Sequence, residues 1–310
     1  MLFMKLDETA ESIRTMNIRG AGLIARSAAE ALKELAEEYD GESLIEFTEI
    51  LNKGRDTLVN SRPTAVSLWN AVQATLKNVK NAEDVTSLKE IVSRDADIFI
   101  SNSKKAVETI GRIGANRIKD GDVVLTHCNS KAALSVIKTA YEQGKNISVY
   151  ATESRPWKQG LLTVKDLSDA GIPVTMIVDS AVRWIMKEID IAVVGADTIC
   201  SNGALINKIG TSQIGLAAHE ARVPMMVCAE SYKFSPKTME GEIVEIEERD
   251  TSEVAENLPP NVRIRNPVFD STPAEYMDCI ATEIGLISPY AAYEVIVNKL
   301  GHECLFETEG

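Results

Sequence analysis

Apolar positions along the chain follow two rhythms. Up to about residue 118 they recur at helical spacing, as in Leu44, Ile45, Phe47, Ile50 and Leu51, and again in Leu88, Ile91, Val92, Ile98, Ile110 and Ile113. Segment 28–39 is rich in Ala, Leu, Glu and Lys, all strong helix formers. Ser43 precedes Glu46 by three residues, a capping-box pattern that starts a helix. Segment 66–79, entered through Pro63, reads as a further helix. Segment 85–118 reads as one helix or two, with Gly111 and Gly114 blurring its end. This half carries no strand signal of weight.

From residue 119 the rhythm shortens. Apolar runs at 123–125, 147–151, 174–178, 191–194 and 225–228 alternate with helix-like segments at 131–143, 164–170, 181–188 and 211–221. Gly144, Gly171 and Pro173 punctuate them. Strands alternating with helices imply a parallel sheet covered on both faces. The acidic segment 240–256 reads as a loop or an edge hairpin, and 290–300 as a last helix. The expected class is α/β: a helical N-terminal domain, 1–118, followed by a Rossmann-like parallel-sheet domain, 119–310.

Composition narrows the function classes. A chain of 310 residues with net charge −13 is large enough for a substantial core and too acidic for a general nucleic-acid binder. Met1 to Lys5 is too short a start for a signal peptide, and no apolar run is long enough to span a bilayer, so a cytoplasmic location is expected. The five cysteines, Cys128, Cys200, Cys228, Cys279 and Cys304, are scattered, with no CxxC pair. None stands at zinc-ligand spacing with His127, His219 or His302, so no metal site is expected.

The candidate chemistry centres on Thr126-His127-Cys128-Asn129-Ser130, between the run 123–125 and the helix starting at Lys131. A strand, a polar tight loop and a helix start make a ligand crevice in a parallel α/β sheet. The first N–H groups of that helix could bind an anion, and a cysteine beside them would lean toward thiolate. Cys128 reads equally as a small apolar residue at a strand end. His127 is a third acid/base or a packed, orienting residue. Asp197, beside Gly195 at the end of the run 191–194, is either an acid/base carboxylate or a capping aspartate.

Further segments join small or polar residues to a cation: Arg19-Gly20-Ala21-Gly22, Ser61-Arg62-Pro63-Thr64, Glu153-Ser154-Arg155-Pro156 through Lys158-Gln159-Gly160, Asn207-Lys208-Ile209-Gly210-Thr211 and Tyr232-Lys233. Any one of them could be a turn with a solvated charge. Their recurrence at element ends in an acidic chain points to a pocket for a phosphorylated small molecule.

Together RGAG, SRPT, THCNS, ESRPWKQG, GADT, NGALINKIGT, AESYKF and NPVFDSTPAEY occur in the order seen in the aldose-1-phosphate isomerases. That superfamily includes methylthioribose-1-phosphate isomerases, archaeal ribose-1,5-bisphosphate isomerases and regulatory subunits of the eukaryotic translation-initiation guanine-nucleotide exchange factor. The resemblance runs from about Arg19 to Tyr293. It implies a helical domain on a Rossmann-like domain, with no metal or redox cofactor. It implies Cys128 and Asp197 as the catalytic pair, retained here where regulatory subunits generally lack it. As substrate-binding residues it implies Arg19, Gly20, Ala21, Gly22, Arg62, Asn129, Ser130, Lys131, Arg155, Lys158, Gln159, Asn207, Lys208 and Lys233. Methylthioribose-1-phosphate isomerases usually carry Arg after the aspartate and GAPA after the early Arg. Here Thr198 and Gly20-Ala21-Gly22-Leu23 stand there, which favours a sugar bisphosphate. The archaeal bisphosphate branch is activated by AMP, supplies ribulose bisphosphate carboxylase in nucleoside salvage, and assembles as dimers up to a hexamer. Two routes are open: a phosphoenolate, with Cys128 relaying the C2 proton and Asp197 handling the ring oxygen, or a hydride shift with Asp197 taking the 2-hydroxyl proton.

Overall fold

A computed structural model describes residues 3–300; His302 and Cys304 lie outside the described residues. The chain divides into two compact units, one ending at Lys105 and one beginning at Ala106. The division falls ahead of the expected boundary at 118, inside a helix.

The first unit is helical throughout: α1 (Met4–Arg14), α2 (Ala21–Glu38), α3 (Leu44–Ser61), α4 (Val66–Leu76) and most of α5 (Val85–Ala115). Its core gathers Leu6, Ile13, Leu32, Leu35, Phe47, Leu51, Leu58, Leu68 and Leu88. Ser43 caps α3 as expected, its side chain accepting from the Glu46 N–H at 3.3 Å. Residues 85–115 form one helix, not two. Its glycines are there for packing, not for termination. A Cβ at Gly111 would lie 2.3 Å from Ser135 Oγ, and one at Gly114 would lie 2.5 Å from Val136 Cγ2. The last turns of α5 therefore pack within the second unit, against α6 (Lys131–Glu142).

The second unit is built on β1 (Val123–Thr126), β2 (Ser148–Thr152), α7 (Gly160–Ser168), β3 (Val174–Ile177), α8 (Val182–Ile185), β4 (Ile191–Gly195), β5 (Thr198–Ile199), β6 (Leu205–Lys208), α9 (Thr211–Ala221), β7 (Met225–Cys228), β8 (Phe269–Thr272), β9 (Cys279–Thr282), β10 (Gly285–Ile287) and α10 (Ala292–Val295). The main sheet has the order β10-β9-β7-β4-β1-β2-β3, parallel except for β10. The expected Rossmann-like parallel sheet is present. β4 and β7 are buried along their whole length, which is why they read as unbroken apolar runs.

The chain runs outward from β1 through β2 to β3, then returns to the other side of β1 as β4. Adjacent strands whose connections leave in opposite directions open a crevice at their carboxyl ends, the topological switch point of an open sheet. Here it lies between β1 and β4. A second, antiparallel sheet, β5-β6-β8, extends from the end of β4. Its strands are two to four residues long and rich in polar positions, so no apolar run marked them in the sequence. Segment 240–256 holds no hairpin; it carries one isolated bridge, Glu248 to Pro267. Segment 290–300 is helical through short turns, with α10 at its centre.

Candidate active site

Cys128 follows β1 and Asp197 follows β4, so the two stand at the carboxyl ends of the strands that flank the switch point. Ser130 and Gly195 bring these ends together: a Cβ at Gly195 would meet Ser130 Oγ at 2.3 Å. The Asp197 N–H donates to the Ile206 carbonyl at 3.1 Å, which fixes Asp197 beside Asn207 and Lys208 on β6.

Cys128 is partly buried and held at φ +63°. Ser154 and Lys158, on the loop facing it, also have positive φ. Each such non-glycine residue costs about 1–2 kcal/mol, a cost met by the contacts that hold the loops. Thr163 Oγ1 donates to the Cys128 carbonyl at 2.5 Å, and the Cys128 N–H donates to Ser154 Oγ at 2.8 Å. The thiol points to Gln159 Oε1 at 3.6 Å.

His127, next to it, is buried. Its Nε2 lies 2.9 Å from the Ile209 carbonyl, which can only accept, so the proton is on Nε2. Nδ1 is then the acceptor, taking the Thr152 hydroxyl at 2.5 Å with Ser154 Oγ at 3.3 Å. Burial pushes the imidazole below its ordinary pKa and keeps it neutral. His127 is thus the orienting residue of the two readings. It ties the Cys128 loop to the loop carrying Lys208, where Gly210, at φ +102°, packs against its ring.

Burial works against the thiolate that a helix start would favour at Cys128. Burial pushes its thiol up to about 11; Lys208 acts against the rise, and Asp197 and Asp179 add to it. Ser130 caps the α6 N-terminus, its side chain accepting the Ala133 N–H at 3.3 Å. Burial therefore favours the protonated thiol at Cys128.

The remaining residues fall into three groups. Around Cys128 and Asp197 stand Ser130, Gln159, Asn207 and Lys208. Asn207 is buried and donates to Thr211 Oγ1 at 3.0 Å, closing the 207–211 turn. The Lys208 ammonium lies 5.1 Å from the centre of the Phe269 ring and close enough to Cys128 to stabilise its anion. Asp270 accepts from the Gly210 and Ser212 N–H groups at 2.7 and 3.1 Å, so these donors at the start of α9 are engaged; burial lifts its carboxyl to about 6.

In a second group, Asn129, Lys131, Arg155 and Lys233 have carboxylate, hydroxyl or carbonyl partners and Lys158 is exposed. Lys131 is exposed and donates to Asp166 Oδ2 at 3.1 Å; Asn129 donates to the same oxygen at 3.4 Å and to Thr163 Oγ1 at 3.0 Å. Burial would raise the Asp166 carboxyl, but Lys131 and Asn129 hold it below its ordinary range. Lys233 is buried and pairs with the equally buried Glu230 at 2.7 Å. Arg155 is exposed and donates to the Val254 carbonyl at 3.2 Å, and Lys158 is exposed.

The third group lies in the first unit. Gly20, at φ +87°, precedes α2, whose N-terminus has no side-chain cap; Arg19 stands before it and Ala21 and Gly22 are in the first turn. Ser67, in the first turn of α4, donates to the Ala21 carbonyl at 3.1 Å. Arg62 ends α3 four residues before α4, so the RGAG and SRPT segments share one end of this unit. An uncapped helix start with two arginines nearby suits an anion.

Sequence reasoning missed Thr152, Thr163, Asp166 and Asp179. Ser154 lay inside a quoted motif and was passed over for its charged neighbours. Asp179 carries no motif; only its place just after the run 174–178 pointed to the crevice.

Among the described residues no cluster of three His, Cys, Asp or Glu could hold a metal ion, and no helix is long and apolar enough to cross a membrane. The Initiation factor 2 subunit family matches residues 17–289. A ribose 1,5-bisphosphate isomerase of Methanocaldococcus jannaschii is 56% identical over 298 residues, spanning 96% of each chain. One of Archaeoglobus fulgidus is 57% identical over 304 residues, 97% of this chain and 96% of that one. Among solved structures, the Pyrococcus horikoshii translation initiation factor eIF-2B superposes with TM-score 0.80 at 35% identity, covering 92% of this chain and 98% of that one.

Proposed function

The chain belongs to the Initiation factor 2 subunit family, and within it we propose that the protein is an enzyme converting ribose 1,5-bisphosphate to ribulose 1,5-bisphosphate. One observation carries the reading: Cys128 and Asp197 stand at the two strand ends flanking the switch point, with Lys208 close by. Full-length relatives at 56 and 57% identity bearing that isomerase name support the substrate.

The phosphate on the C1 oxygen blocks ring opening to a free aldehyde. The enzyme must open the ring with that phosphate in place and then move hydrogen from C2 to C1. A thiol suits the first step. Cys128 gives its proton to the ring oxygen as the bond from that oxygen to C1 breaks. The thiolate so formed, stabilised by Lys208, takes the C2 proton and leaves an enol phosphate. Cys128 returns that proton to C1 while Asp197 accepts the 2-hydroxyl proton, and C2 becomes the ketone. A proton passing from Asp197 back to Cys128 restores the starting state. This assignment exchanges the roles expected from sequence, because a thiol held up at about 11 is a donor before it is a base.

Asn207, Lys208, Ser130 and Gln159 would orient the sugar. Lys131, Arg155 and Lys233 would serve by leaving or sharing their present partners, and exposed Lys158 could reach the substrate directly. The hydrogen moves within the substrate, so the reaction needs no redox cofactor. AMP as an activator, a cytoplasmic location and a dimer-based homo-oligomer, up to a hexamer, belong to the same proposal and rest on resemblance.

An NMR time course with ribose 1,5-bisphosphate in deuterated water tests the reading. Ribulose 1,5-bisphosphate is expected, with solvent deuterium at C1 to the extent that the Cys128 thiol exchanges before it returns its proton. Formation of the ketose without any deuterium would favour the hydride shift, and no ketose at all would overturn the function.

A further inference from the structure

We propose that Ser154, locked from behind by Asp179, is the positioning residue for the Cys128 thiol; this rests on the acid–base role given to Cys128 above. Ser154 is fully buried and so cannot meet substrate. Its hydroxyl oxygen accepts the Cys128 N–H at 2.8 Å. Its own proton is directed to Thr152 Oγ1 at 3.2 Å or His127 Nδ1 at 3.3 Å. Every polar group in this cluster has a partner, so none can turn without breaking another bond.

The serine is in turn held by its backbone. The Ser154 and Arg155 N–H groups each donate to one oxygen of the Asp179 carboxylate, both at 2.8 Å. A carboxylate bridging two successive N–H groups fixes the local chain in the left-handed conformation that residue 154 adopts, φ +58°. Asp179 lies just past β3, at the carboxyl edge of the sheet, so the clamp ties the loop after β2 to the strand beyond it. On the other side of Cys128, Thr163 holds its carbonyl. With both flanking peptide groups fixed, the Cα–Cβ bond of Cys128 keeps one direction, and the sulfur reaches Gln159 Oε1 at 3.6 Å. The elevated thiol pKa agrees with a loop that keeps the sulfur out of water.

Two substitutions separate the hydroxyl from the backbone. Ser154→Ala removes Oγ and leaves a side chain strained at positive φ; Ser154→Gly removes Oγ and relieves that strain. Both should lower kcat by about tenfold to a hundredfold, as misplacing a reacting group does, with KM within about threefold of the parent. Both should also bring the alkylation of Cys128 by iodoacetamide, followed on its own peptide by mass spectrometry, to lower pH as the loosened loop lets water reach the sulfur. Ser154→Gly with parental kcat and an unshifted alkylation profile would overturn the proposal. If neither serine variant folds, Asp179→Asn, which keeps shape but weakens the clamp, should show the same kcat loss and alkylation shift, and a parental profile there would overturn it. The alkylation arm needs no substrate. Should the parent protein fail to turn over ribose 1,5-bisphosphate, the isomerase reading falls while the alkylation shift still decides the positioning role.

Discussion

Ser130 fills the space that a side chain at residue 195 would need: a Cβ on Gly195 would lie 2.3 Å from its Oγ and 2.4 Å from its Cβ. The cap of α6 is therefore seated on the end of β4, and the Cys128 loop is registered against the strand that delivers Asp197. Gly195→Ala should force these apart. Overpacking of this kind costs about 1–3 kcal/mol, and turnover should fall with it because the catalytic pair is separated. Denaturant titration together with steady-state kinetics checks both; unchanged stability and rate would mean the two loops are not in register.

Removing either member of the pair should abolish chemistry and spare binding. Cys128→Ser and Asp197→Asn are each expected to lower kcat by at least about a hundredfold, the usual scale for losing a general acid or base. Substrate affinity, measured by calorimetry on the inactive variants, should stay near that of the parent. Near-normal turnover in either variant would remove that residue from the mechanism. Cys200, Cys228 and Cys279 should be dispensable for turnover.

The ionisation of Cys128 has a definite pH signature. Its thiol is pushed from an ordinary value of 9 up to about 11, so the folded protein binds a proton there that the unfolded chain has begun to release. The resulting stability is fully present below about pH 9 and is lost as pH rises toward 11. Alkylation of Cys128 should be slow at neutral pH and rise toward that upper value, and bound substrate should slow it further. Fast modification near pH 7 would mean a thiolate in the resting enzyme and would return the first proton transfer to Asp197.

What the sequence disclosed depended on how local the cause was. β1, the loop 126–130 and α6 were legible because an apolar run, a polar break and an amphipathic helix follow one another within twenty residues. The switch point was not: strand order depends on crossovers that no local pattern records. β9 was missed because Cys279-Ile280-Ala281-Thr282 is buried by its position between β7 and β10, and its residues form no long apolar run. Lys131 and Lys233 read as substrate cations beside their motifs, a role their carboxylate partners leave open. Their partners, Asp166 across the fold and Glu230 in a buried turn, became evident only in three dimensions. For Cys128, proximity to a helix start is readable in sequence, whereas the burial that raises its pKa is not.

Assembly gives an independent check. The purified chain is expected to be an even-numbered homo-oligomer, dimer or larger. Light scattering should report a mass at least twice the 33.8 kDa of one chain. A stable, active monomer would contradict it.

The central claim is the substrate, and the most direct measurement is kcat/KM for ribose 1,5-bisphosphate, ribose 1-phosphate and methylthioribose 1-phosphate on one preparation. A site built to pair a second phosphate rejects an analogue lacking it, by as much as about ten-thousandfold where the polar groups are left unpaired. Strong turnover of the bisphosphate with little of either monophosphate is the expected result. Equal or better turnover of methylthioribose 1-phosphate would contradict the account.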